Sequence, residues 1–62
     1  MNLYDVVELT VDLPDEGLHA GAVGTIVDDY AGSEDFEVEF TDDSGRTLAL
    51  TTLRGDQLRA RG

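Results

Sequence analysis

Apolar positions recur at every second residue along much of the chain. Phe36-Glu37-Val38-Glu39-Phe40 alternates without a fault, the mark of a half-buried strand. Phe36, Val38 and Phe40 would face a core, and Glu37 and Glu39 would face water. Leu48-Ala49-Leu50-Thr51-Thr52-Leu53 follows, with short apolar residues and β-compatible threonines. Between these runs lies Asp42-Asp43-Ser44-Gly45, a short loop whose closing Gly can take a left-handed conformation and complete a hairpin. Upstream, Gly24–Tyr30 reads as a strand centred on Ile26 and Val27, and the polar loop Ala31–Asp35 joins it to Phe36. Tyr4–Leu9 has the composition of a first strand. Gln57–Ala60 would form a short last one, after a turn at Arg54-Gly55-Asp56.

Helix finds little support, because no ten-residue segment shows a 3.6-residue period free of Gly. Asp12–Gly21 is a long irregular stretch in which Pro14, Gly17 and Gly21 break any ladder. The expectation is an all-β chain with no helix beyond one turn and a single domain over residues 1–62. Five strands in so few residues cannot make a two-sheet sandwich of ordinary size. A small, partly open, strongly bent barrel removes free edges with the fewest residues. The order of strand, long loop, three-stranded meander, short turn and short strand is that of a mostly antiparallel SH3-like barrel. Val7, Leu9, Val23, Ile26, Phe36, Val38, Phe40 and Leu50 are the expected core.

Length and charge then narrow the function. With 62 residues and no cysteine, the core is small and has no disulfide to staple it. A partner, or self-association into a homo-oligomer, would therefore matter energetically. The net charge is −10, and all carboxylates but Asp56 lie in residues 1–45, which hold no Lys or Arg. Arg46, Arg54, Arg59 and Arg61 all lie in the remainder. Such a body repels phosphate and anionic lipid, which speaks against direct binding to nucleic acid or membrane, and it attracts basic protein surfaces. The N-terminus lacks a basic start and an apolar segment, and no apolar stretch approaches a membrane span. A cytoplasmic protein is expected.

Several motifs in order resemble the small bacterial "domain of unknown function 4926" family. They are Tyr4–Leu9, Leu13-Pro14, Gly17-Leu18, Gly21-x-x-Gly24-Thr25-Ile26-Val27, Phe36–Phe40, Asp43-x-Gly45-Arg46-Thr47, Leu50-x-Thr52-Leu53 and Gln57-Leu58-Arg59. The likeness runs from Leu3 to Arg59. It implies an SH3-like all-β domain without assigned catalytic residues. It also implies an antitoxin or immunity role, since some members are encoded beside toxin-like proteins. Leu18–Val27 is similar to the KOW-type element of ribosomal and transcription-factor SH3-like domains, in which a Gly-x-x-Gly turn leads into buried β-branched residues. Those domains carry Lys and Arg around the turn. Here Asp15, Glu16, Asp28 and Asp29 flank it, which again disfavours nucleic acid.

The remaining chemistry is sparse. His19 is the lone imidazole, with neither Cys nor a second His to complete a zinc site. Ser33 and Ser44 sit in turns, which explains them without nucleophilic catalysis. Arg54-Gly55-Asp56 spells an integrin-binding tripeptide and reads as a turn. Adjacent acids do not have the alternating spacing of a calcium loop. No catalytic residue, cofactor or metal is therefore assigned, and the chain is expected not to be an enzyme. The candidate partner-binding residues are Asp28, Asp29, Glu34, Asp35, Glu37, Glu39, Asp42 and Asp43. They would form an acidic face toward a basic protein surface, although a merely solvated face explains the same residues. The alternative is a structural or assembly subunit that docks through an apolar edge.

Overall fold

The computed structural model describes residues 1–61. Five strands form one antiparallel sheet: β1 (Val6–Leu9), β2 (Val23–Asp29), β3 (Asp35–Thr41), β4 (Thr47–Arg54) and β5 (Leu58–Ala60). Helix is confined to two single 3-10 turns, Pro14–Glu16 and Gly55–Gln57. The strand order is β4-β3-β2-β1-β5, so a four-stranded meander, β1 to β4, is extended by β5 returning to β1. All five expected strands are present, each within a few residues of its expected bounds.

The expectation is a partly open barrel, and the sheet is not closed into one. Closure would need β4 to pair with β5, and the ladders stop at β1–β5 on one side and β3–β4 on the other. The three residues of β5 are taken up by β1. The sheet therefore keeps two edges.

One face of the sheet holds the core: Val7, Leu9, Leu18, Ile26, Val38, Phe40, Leu53 and Leu58. Leu18 comes from the irregular loop. Reciprocal backbone hydrogen bonds between Leu13 and Leu18 (2.9 and 3.1 Å) pinch that loop and turn Leu18 inward. Gly24 allows β3 to lie close over β2. A Cβ there would stand 2.8 Å from Val38 Cγ1 and 2.9 Å from both Glu39 O and Phe40 Cδ1, nearer than carbon atoms pack.

Two expected core residues are on the surface. Val23 is 37% exposed and Leu50 is 59% exposed. Both errors come from strand parity. Gly24 and Ile26 face inward on β2, so Val23 lies on the outer face opposite Glu8. On β4 the inward residues are Ala49, Thr51 and Leu53, which stand opposite Phe40, Val38 and Phe36. Leu50 and Leu53 are an odd number of residues apart and cannot share a face. Leu53 is buried, which sends Leu50 outward. Phe36, at the end of the ladder, is half-buried against the core.

Candidate functional site

The outer face of the sheet gathers the chemistry. Glu37 and Glu39 point there from β3, as the alternation required. A register shift between Ile26 and Asp28 inserts Val27 as an extra residue, and so sets Asp28 opposite Glu37. Two like charges then face each other across the strands, which opposes pairing. The Tyr30 hydroxyl donates to Glu37 Oε2 at 2.9 Å, and the Thr52 hydroxyl donates to the same oxygen at 3.0 Å. Thr47 holds Glu39 in the same way, donating to its Oε2 at 2.6 Å. The two glutamates are thus fixed by neutral hydroxyls, and their charges are left uncompensated. The hydrogen bond to Glu37 holds the Tyr30 proton and raises its pKa above the ordinary value near 10, with partial desolvation and the nearby carboxylates adding to the effect.

The eight candidate acids do not form one patch. Asp28, Asp29, Glu34, Asp35 and Glu37 collect at the β2–β3 hairpin, and Glu39 stands midway along β3. Asp42 and Asp43 follow at the opposite end of the strand, about 20 Å from the hairpin by strand rise. Asp42 is occupied with structure. Its Oδ1 accepts from the Ser44 amide (2.9 Å), the Ser44 hydroxyl (2.7 Å) and the Arg46 amide (2.9 Å). These bonds, the Ser44 hydroxyl foremost, hold its carboxyl below the usual range. Gly45 completes the turn with φ +87°, a left-handed value that disfavours other residues.

The two arginines on this outer face, Arg59 opposite Glu8 and Arg54 opposite Asp35, are engaged by acids outside the candidate set. Arg59 Nη2 meets Glu8 Oε1 at 2.7 Å, a cross-strand pair between β5 and β1, and Arg54 Nε meets Asp56 Oδ1 at 3.0 Å within one turn. Among the described residues no cation pairs with any of the eight candidate acids. His19 is exposed, 4.0 Å from Asp12. The Ser33 hydroxyl donates to the Tyr30 carbonyl and accepts from the Asp35 amide, a turn role. No group of three or more His, Cys, Asp or Glu side chains among the described residues is placed to hold a metal ion. No described helix is long and apolar enough to cross a membrane.

Two features were not legible in the residue pattern. The hydroxyls of Tyr30, Thr47 and Thr52 orient the glutamates. Thr52 could have been assigned from the cross-strand register once the turn was fixed. The second feature is a groove of about 390 Å³ with Asp12, Asp15 and Glu16 on one wall and Thr51 to Arg54 on the other. It depends on where a long loop comes to rest, which residue periodicity does not encode.

Fold and surface together define a small all-β domain with an open antiparallel sheet and an acidic outer face. The chain belongs to the family described as Domain of unknown function (DUF4926), which it matches over residues 3–60, as its ordered motifs implied. No curated protein and no solved structure matches it.

Proposed function

We propose that the chain is a non-catalytic protein-interaction domain whose acidic outer face receives a basic surface of a partner protein. The observation that carries this reading is the cluster at the β2–β3 hairpin. Asp28, Asp29, Glu34, Asp35 and Glu37, with Glu39 beyond them, form no ion pair among the described residues, since Arg54, opposite Asp35 in the ladder, is engaged by Asp56. Glu37 and Asp28 are directly opposed in the ladder. A basic surface brought against this face would relieve that repulsion, and complementary charge would speed and orient the encounter. An antitoxin or immunity-type protein is the finer form of the proposal. There the carboxylates would cover a basic surface that otherwise engages another anion.

The test is capture from native lysate on the immobilised chain, followed by elution in rising salt. Charge-led binding releases its partner at moderate ionic strength, because screening reaches within about 8–10 Å at physiological salt. A partner held unchanged through molar salt contradicts the acidic-face reading. It would favour the second reading, an assembly domain that docks by apolar contact. The observation behind that alternative is the exposure of Val6, Val23, Leu48 and Leu50.

A further inference from the structure

The open side of the sheet has a free strand edge and an acidic wall facing each other. Gly55 N–H donates to Glu34 O at 2.9 Å, one rung beyond the Asp35–Arg54 pair. Antiparallel ladders alternate, so Leu53, Thr51 and Ala49 turn their backbone groups toward β3, while Arg54, Thr52 and Leu50 turn theirs away. The Arg54 N–H is taken by Gln57 Oε1 at 2.9 Å. Outside the β3–β4 ladder, no backbone hydrogen bond among the described residues involves Leu50 or Thr52.

Edge strands in natural proteins are usually blunted by charge, Pro or a covering element. β4 has no Pro and one charge, Arg54 at its last position, whose guanidinium is engaged by Asp56, and Leu48 and Leu50 are 57% and 59% exposed. Beside its C-terminal half runs the groove whose far wall carries Asp12, Asp15 and Glu16.

We infer that this edge accepts an extended, basic segment of a partner protein as a sixth strand, alongside β4. The inference rests on the proposed interaction role and specifies how the partner is held. Backbone groups of Leu50 and Thr52 would pair with the added strand, which is the general mode of β-strand addition. Side chains of a strand alternate between faces. On the groove side the added strand meets Asp12, Asp15 and Glu16, and so calls for Lys or Arg. On the outer side it covers Leu50, and so calls for an apolar residue. An alternating basic and apolar segment satisfies both. A second copy of this chain fits worse. It would bring another body of charge −10 to the same edge and set a second acidic loop beside the first.

Amide hydrogen exchange tests the inference, with an end-blocked nine-residue peptide alternating lysine and valine as the probe. In the free protein Leu50 and Thr52 amides should exchange fast and Thr51 and Leu53 amides slowly. With peptide at about ten times its dissociation constant, exchange at Leu50 and Thr52 should slow about tenfold. The counterpart with glutamate for lysine should give no protection, and D15N/E16Q should weaken the lysine peptide several-fold. Salt-sensitive peptide binding that leaves Leu50 and Thr52 unprotected overturns strand addition while leaving the acidic face as a binding surface. A lysine peptide that does not bind at low salt also overturns it, and the lysate capture then decides the broader reading alone. Protection that rises with protein concentration in the absence of peptide makes a second copy the occupant and equally overturns it.

Discussion

Tyr30 and Gly24 show how single residues set this surface and the sheet behind it. The Tyr30 hydroxyl donates to a carboxylate that lacks a counter-ion, so removing its proton places a third negative charge beside Glu37 and Asp28. In a Tyr4→Phe background, which leaves Tyr30 as the only phenol, the phenolate absorbance should appear above the ordinary tyrosine range. Glu37→Gln should move it back toward pH 10. A midpoint that Glu37→Gln leaves in place would mean that the hydrogen bond is not formed in solution. Gly24→Ala drives a Cβ into Val38, Phe40 and the Glu39 carbonyl. Overpacking of that kind costs about 1–3 kcal/mol, which a urea midpoint would register. An unchanged midpoint would mean that β2 and β3 lie further apart than described.

At the level of elements, the β3–β4 hairpin divides what periodicity encodes from what it does not. Phe36–Phe40 declares itself because large apolar residues and glutamates alternate strictly, and Asp42–Gly45 because its residue types belong to turns. The face of β4 is concealed. Leu48 and Leu50 suggest one parity and Leu53 the other, and a register shift at the Phe40/Thr41 end decides between them. The acidic residues and the two loops that flank β3 were readable, but the distance that keeps Asp42 and Asp43 out of a common face with the β2–β3 hairpin was not drawn from them. The same hairpin makes a pH prediction. The Asp42 carboxyl titrates below its usual range in the folded state, so its contribution to stability is present above the unfolded pKa, near 4, and is lost as pH falls through the lowered folded value. Between about pH 5 and pH 2, thermal melts of the natural chain should therefore lose more than those of Asp42→Asn, the other carboxylates being common to both. Parallel losses would remove Asp42 from the turn's energetics.

The whole molecule combines a thin core with a large negative charge. Phe40 is among the largest fully buried side chains, and Phe40→Ala should cost about 3–5 kcal/mol, enough to unfold a domain near the lower end of ordinary stability. A variant that melted like the natural chain would place the core elsewhere. Uncompensated carboxylates repel one another in the compact state, so moderate salt should stabilise the free domain while weakening its complex. The most direct test of the acidic-interaction account is the association rate of the partner recovered by capture, measured for the natural chain and for E37Q/E39Q at low and at physiological ionic strength. The account predicts slower association for the variant at low salt, a difference that narrows as salt rises, and a melting temperature equal to or above that of the natural chain. Equal association rates for both proteins at both ionic strengths would contradict it and leave Glu37 and Glu39 as a solvated strand face.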